Sequence, residues 1–362
     1  MGAASTGKGD FNAVHRTFRY PLATHCQKGG IVDAMNSDAH KENKRIDYLF
    51  TLVVLLFATY FLQDRFALNA FYDGIATPIM LFEGEAYLPF QTRALVLWVA
   101  ATLHRYLFFE SLNPLQLFAV FDFVFTILLL FVTRRFLFHL IQDYPMATCL
   151  SCLLFYIMPF HLTKTMWYPW DIPTMIFMTL GMMYLYQWKW LPFYLVFVLS
   201  TMNRETTILL TCMMVLSCFR KMPFSRLCLH VLIQVLVWLL IRYCIFRLYA
   251  LNPKLGYGTF EYQLWKNIAL LQNPKIWIKA LSAFGYLWVP ILFYYPRIKN
   301  DFVRLSLWLV PPVYGILFVI GVVYELRIYV ECIPIVLAAN VVLIHQAFIQ
   351  RVKSDFSINS VR

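Results

Sequence analysis

Hydrophobic residues in this chain fall in long continuous blocks, not in stripes or strand-like alternation. A bilayer core of about 30 Å needs about 20 apolar residues in a helix. Blocks near that length predict spans at 48–63, 117–133, 147–163, 172–188, 230–249, 281–295, 305–323 and 332–349. A transmembrane barrel would show short alternating segments instead. The pattern therefore predicts an all-α integral membrane protein with about eight full spans.

Two apolar blocks do not fit a simple crossing. Residues 94–109 form a short block inside the long connection after the first span. If this block does not cross, most Lys and Arg in the short loops fall on one side. If it does cross, they divide evenly. The biased arrangement obeys the positive-inside rule, so 94–109 is expected to be a non-spanning helix. The second block, 190–219, is broken at its centre by Asn203-Arg204-Glu205-Thr206. Lys189 before it and Arg220-Lys221 after it should share a side. Two short helices meeting at the break, as a broken or re-entrant pair, satisfy that requirement. Such a break needs protein or a wet cavity around it.

The boundaries follow from this topology. They are a polar cytosolic tail over 1–46 and a polytopic domain over 47–349. The first extracytoplasmic loop covers 64–116, and a second cytosolic tail covers 350–362. Both termini are expected in the cytosol, with a bacterial inner membrane or the endoplasmic reticulum as host. The first 46 residues are polar and show no signal-peptide pattern, so the first span should act as an uncleaved anchor.

Composition agrees. The chain is 60% hydrophobic and only 14% charged, against about 25% charged in soluble domains. The net charge of +12 does not point to nucleic acid, because the basic residues sit in loops between spans. Some of them can meet anionic headgroups, so membrane lipids are expected partners. Cys149 and Cys152 have CxxC spacing inside an apolar run with no second pair nearby, so they read as small buried hydrophobes. His104, His139, His161, His230 and His345 stand at span ends and read as interfacial.

The candidate chemistry gathers on one face. The first loop supplies Asp73, Glu83, Glu85 and Arg93. Asp171 opens a span after Trp167-Tyr168-Pro169-Trp170, whose rings could offer a sugar-stacking platform. Asn203, Arg204 and Glu205 sit at the helix break. Glu325, Arg327 and Glu331 lie before the last span. Charges in a membrane domain are costly and usually face a partner or a cavity. Each has two readings. Asp73 can cap a turn before Gly74, or serve as a general base or metal ligand. Glu83 and Glu85 are exposed loop charges or catalytic acids. Arg93 needs a carboxylate or a phosphate. Arg204 and Glu205 can pair with each other, or Arg204 can clamp a phosphate. Glu325 and Arg327 divide between a salt bridge and ligand contact. Asp122, inside a span, is expected to bond a neighbouring helix. The chain has no GxSxG, HExxH, Walker A or GxGxxG signature.

The layout resembles the GT-C class of membrane glycosyltransferases. That class also has a cytosolic amino end, one span, an acidic first extracytoplasmic loop with a non-spanning helix, and further polar segments returned to the same face. The strings PFQTRAL at 89–95, WDIP at 170–173, NRETTILL at 203–210 and ELRIY at 325–329 also look like short blocks in polytopic proteins assigned to it. The resemblance implies a sugar donor on a polyprenyl phosphate and transfer on the non-cytosolic face. It implies that Asp73, Glu83 or Glu85 activates the acceptor. Arg93, Arg204 and Arg327 would bind the lipid phosphate, with Asp171, Asn203, Glu205 and Glu325 around them. A divalent metal stays open. The alternative class is a transporter or flippase for a lipid-linked or anionic solute, which the helix break favours.

Overall fold

The computed structural model describes residues 29–106, 112–255 and 262–359, with side chains described for those between residues 43 and 351. Residues 1–28 of the amino-terminal tail, 107–109 at the end of the short apolar block and 360–362 of the second tail lie outside the described residues. Contacts divide the chain into a unit Met1–Arg45, helical over residues 29–45, and a unit Ile46–Arg362.

Every regular element among the described residues is helical. In order they are α1 (Gly29–Leu68), α2 (Pro78–Glu83), α3 (Ala94–Tyr106), α4 (Pro114–Ile141), α5 (Tyr144–Ser151), α6 (Leu153–Leu162), α7 (Asp171–Tyr186) and α8 (Trp190–Asn203). Then follow α9 (Ile208–Cys218), α10 (Phe224–Leu248), α11 (Leu264–Leu270), α12 (Pro274–Leu281), α13 (Trp288–Tyr294), α14 (Asp301–Ser306), α15 (Val310–Ile320) and α16 (Ile333–Asn359). Local signals set several starts. Asn113 and Gln116 form a capping box ahead of Pro114, and Thr77, Asp143 and Asn273 each cap a helix whose next residues include proline.

Six helices are long and apolar enough to cross a membrane: Asn43–Leu68, Pro114–Ile141, Tyr144–Leu162, Phe224–Leu248, Asp301–Ile320 and Leu326–Arg351. Each matches an expected span. The other two expected spans differ. Helix α7 has 16 residues, about 24 Å at 1.5 Å per residue, and most of its residues are buried. The 281–295 block is not one helix. Phe284, Gly285 and Tyr286 all take positive φ, at 57°, 59° and 62°, so the chain turns left-handed there and resumes helix only at Trp288. Buried His161 holds this turn. Its Nε2 accepts from the Phe284 N–H at 2.9 Å, and its Nδ1 lies 2.7 Å from the Leu326 carbonyl oxygen. His161 is therefore a core residue, not an interfacial one.

The block 190–219 forms two helices that both lie along α10. Trp190 at the start of α8 stacks on His230 at 4.1 Å. At the break, the Trp238 Nε1–H donates to the Glu205 carbonyl at 2.9 Å. On α9, the Thr211 hydroxyl donates to Gln234 at 2.8 Å. Thus α8 runs up α10 and α9 runs back down it, so the block is two antiparallel helices and not one straight one. Helix α3 has 13 residues, about 20 Å, short for a crossing.

The apolar core has two parts. The larger one lies among α1, α4, α6, α7, α9 and α16. The smaller one lies under the first loop, where Leu81, Phe90, Val96 and Leu97 pack on Phe118, Trp167, Tyr168 and Trp170. Cys149 and Cys152 are free thiols, one exposed and one half-buried.

The left-handed turn makes one glycine indispensable. A Cβ on Gly285 would stand 2.4 Å from Tyr156 Cε1, whereas one on Gly315 in α15 meets nothing within 4 Å. Gly285→Ala should lower stability by about 1–3 kcal/mol. Gly315→Ala should leave it unchanged or raise it by up to about 1 kcal/mol. Unfolding midpoints of the detergent-solubilised variants check both.

Candidate functional site

Charged side chains from distant segments meet at one end of the helical bundle. Arg65 is in the last turn of α1, Asp122 in the third turn of α4, and Asp171 is the first residue of α7. Arg204 and Glu205 form the break after α8, and Arg242 lies in the last two turns of α10. Glu325, Arg327 and Glu331 lie in the 3-10 stretch that leads into α16 and at its edge. These are all the same ends of alternately directed helices.

Asp171, fully buried, is the hub. Arg65 Nη2 lies 3.7 Å from its Oδ2, and Arg204 Nη1 and Arg327 Nη1 each lie 3.9 Å from its Oδ1. Those spacings hold Asp171 by charge rather than by direct hydrogen bonds. Each arginine also has a nearer acid. Arg65 Nε is 2.9 Å from Asp122, Arg204 Nη1 is 3.1 Å from Glu331, and Arg327 Nη2 is 2.7 Å from Glu325. Backbone and hydroxyl groups complete the set. Arg65 donates to the Tyr168 carbonyl at 2.8 Å, and Thr206 donates to Glu331. Asn203 donates to Thr174 Oγ1 at 2.9 Å and the Trp170 carbonyl at 3.2 Å, fastening the break to α7.

A second group lies beside the first. Arg93 grips Glu205 with two contacts, Nη2–Oε1 at 2.7 Å and Nε–Oε2 at 3.3 Å. Arg242 Nη2 lies 3.9 Å from the same carboxylate while Nη1 donates to the Thr92 carbonyl at 2.8 Å. Burial alone would lower the Arg93 pKa, but the Glu205 carboxylate outweighs it and the net shift is upward. Five guanidinium groups thus face five carboxylates, so the cluster is formally neutral. It is not sealed. The Glu205 side chain is 29% exposed and that of Glu325 19%.

The sequence-derived residues separate into two sets. Arg93, Asp171, Asn203, Arg204, Glu205, Glu325 and Arg327 come together in this cluster. Asp73, Glu83 and Glu85 do not join it: all three are exposed and have no side-chain ion pair among the described residues. Asp73 precedes Gly74, which turns at φ +70°. Glu83 ends α2, where Gly84 supplies the left-handed cap. A column of rings leads from that turn to the cluster. Tyr72 meets Phe90 edge-on at 5.9 Å, Phe90 stacks on Tyr168 at 5.2 Å, and Tyr168 stacks on Trp170 at 4.7 Å. Arg327 lies over Tyr168 at 4.2 Å and Arg93 over Trp170 at 5.1 Å.

Several expectations change. Trp167, Tyr168 and Trp170 are buried and offer no open platform, because their faces are taken by each other, by Phe90 and by the arginines. Arg204 and Glu205 do not pair with each other, because consecutive residues at the break point into different groups. Asp122 does bond neighbouring elements, to Arg65 and to the Trp167 Nε1–H at 2.7 Å. Arg65 and Arg242 also belong to the cluster, though hydropathy does not mark them. Each stands near the end of an apolar run, where snorkelling to the headgroups is the ordinary reading. Among the described residues no three His, Cys, Asp or Glu side chains are grouped to hold a metal ion, so Asp73, Glu83 and Glu85 do not form a ligand set.

No protein-family model, curated protein or solved structure matches the chain.

The pairing predicts a clear split in stability. Asp122→Ala leaves Arg65 buried with a lost partner and should cost about 3–5 kcal/mol. Asp73→Ala, Glu83→Ala and Glu85→Ala should each stay within about 0.5 kcal/mol. Thermal or denaturant unfolding in one detergent checks the contrast.

Proposed function

We propose that the chain is an integral membrane glycosyltransferase of the GT-C type. It takes a sugar from a polyprenyl-phosphate donor and transfers it to an acceptor on the extracytoplasmic or luminal face. Both termini lie in the cytosol in this reading. The observation that carries it is shared location. The exposed acids of the first loop and the arginine-rich cluster occupy the same end of the bundle, joined by the ring column.

Glycosyl transfer needs two things at that end. A carboxylate must take the acceptor proton, and cations must stabilise the phosphate that leaves. An acid that meets a mobile acceptor has to be reachable, and Asp73, Glu83 and Glu85 are. The arginines already have carboxylate partners, so a donor phosphate enters by exchange. The part-exposed Glu205 and Glu325 are the partners it displaces, and Arg93, Arg242 and Arg327 are the guanidinium groups it gains. Bidentate guanidinium–phosphate geometry makes that exchange favourable.

A second reading, a transporter or flippase for a lipid-linked or anionic solute, is favoured by the re-entrant α8–α9 pair. The depth of the charges favours the enzyme. Transporter sites lie near the bilayer midplane. Here Arg65 and Asp171 lie within the terminal turns of their helices.

The exposed acids give a clean test because their replacement spares the fold. In proteoliposomes supplied with labelled polyprenyl-phosphate sugar, Asp73→Asn, Glu83→Gln and Glu85→Gln are assayed one at a time. At least one should lose activity by about 10²–10⁴-fold with an unchanged unfolding midpoint. Full transfer by all three removes the proposed site.

A further inference from the structure

Helices α11 and α12 carry an apolar face that no other described residue covers. On α11, Trp265 is 70% exposed and Ile268 44%. On α12 no residue is buried, and Trp277, Ile278 and Leu281 are all exposed, Ile278 at 62%. Lys275 and Lys279 are four apart and share one side of α12, while Trp277 and Leu281, also four apart, share the opposite side. Lys275 is exposed and Lys279 half-buried, and Lys266 adds a third cation, exposed, on α11. From residue 262 to residue 300 the sequence holds no Asp or Glu.

These two helices cannot cross a bilayer. With 7 and 8 residues, they reach only about 10–12 Å each. Trp, Ile and Leu exposed side by side mark a surface that meets a membrane or a partner. Their place in the fold settles which surface they meet. Buried Asn267 of α11 donates to the carbonyls of Phe318 and Gly321, both at 2.6 Å, and its Oδ1 accepts from the Val323 N–H at 3.0 Å. That ties α11 to the C-terminal end of the apolar helix Asp301–Ile320, where a membrane-crossing segment leaves the hydrocarbon. The indole-and-lysine composition is that of a helix lying in the headgroup layer.

We infer that α11 and α12 form an interfacial anchor. Its Trp265, Ile268, Trp277, Ile278 and Leu281 face sits in lipid, and Lys266, Lys275 and Lys279 engage anionic phospholipid headgroups. The anchor abuts the charged cluster: Lys279 Nζ lies 5.4 Å from the Tyr324 ring, one residue before Glu325. This inference does not depend on the reaction the protein performs.

The test uses the full chain in vesicles of equal parts phosphatidylcholine and phosphatidylglycerol. A photo-crosslinking p-benzoylphenylalanine replaces Trp277 in one sample and Lys275 in another. Mass spectrometry should find lipid acyl adducts at position 277 and several-fold fewer at 275. Protein–protein crosslinks at 277, or no adduct there, would overturn the anchor. The headgroup part is read separately, from lipids retained after detergent extraction. The triple variant Lys266→Gln, Lys275→Gln, Lys279→Gln should retain at least about fivefold less phosphatidylglycerol relative to phosphatidylcholine, since each surface lysine contributes a factor of about five. An unchanged ratio would show that anionic headgroups are not its partners.

Discussion

A buried guanidinium cannot shed its charge, and the meeting of helix ends at the charged cluster follows from that. Lysine in a dry site can deprotonate, but arginine cannot. Removing an ion from water costs several kcal/mol even after relaxation. Arg65, Arg204 and Arg327 are nearly fully buried, so each must meet a carboxylate. The acids available lie on α4, on α7 and before α16, far apart in the chain. Satisfying all three arginines therefore pins the ends of these helices together around Asp171. The result adds little net stability for its cost. Its effect is to specify which helix ends meet, a role buried ionic groups can fill.

The same requirement explains how the break between α8 and α9 is tolerated. Breaking a helix inside an apolar bundle frees backbone groups that lipid cannot satisfy. Here the Glu205 carbonyl is taken by Trp238 and the Arg204 carbonyl by the Thr207 hydroxyl at 2.9 Å. The charged side chains at the break then do two jobs. Arg204 joins the inner group through Glu331, and Glu205 joins the outer group through Arg93 and Arg242. One peptide bond thus links both halves of the cluster. That is why these consecutive residues cannot satisfy each other: pairing them would leave Glu331, Arg93 and Arg242 with missing partners.

Much of the architecture was legible in the sequence because the bilayer imposes so strong a rule on hydropathy. The break at 203–206, where α8 ends before α9 begins, followed from polar residues inside an apolar block and the basic residues that flank it. What hydropathy could not supply was pairing. Arg65 and Arg242 look like snorkelling residues until the fold aims them inward. The span expected at 281–295 failed for a local reason. Three consecutive left-handed residues, held by a histidine more than a hundred positions earlier, leave no trace in an apolar average. The tryptophans near Asp171 misled in the other direction. Their aromatic character suggested an open stacking surface, but in this fold the rings fill the space between first loop and cluster.

Pairing also sorts the acids by the work they can do. Asp122, Asp171 and Glu331 are buried against arginines, out of reach of a passing substrate. Asp73, Glu83 and Glu85 are reachable and uncommitted. Glu205 and Glu325 lie between these classes, each gripping an arginine while part of its side chain meets the surroundings. In a neutral cluster an incoming anion can bind only where a resident carboxylate can move aside. Asp171 cannot, since three guanidinium groups surround it. At the two part-exposed glutamates, the departing carboxylate has somewhere to go. If the site handles a phosphate, charge balance sends it to those two edges and leaves the hub as scaffold.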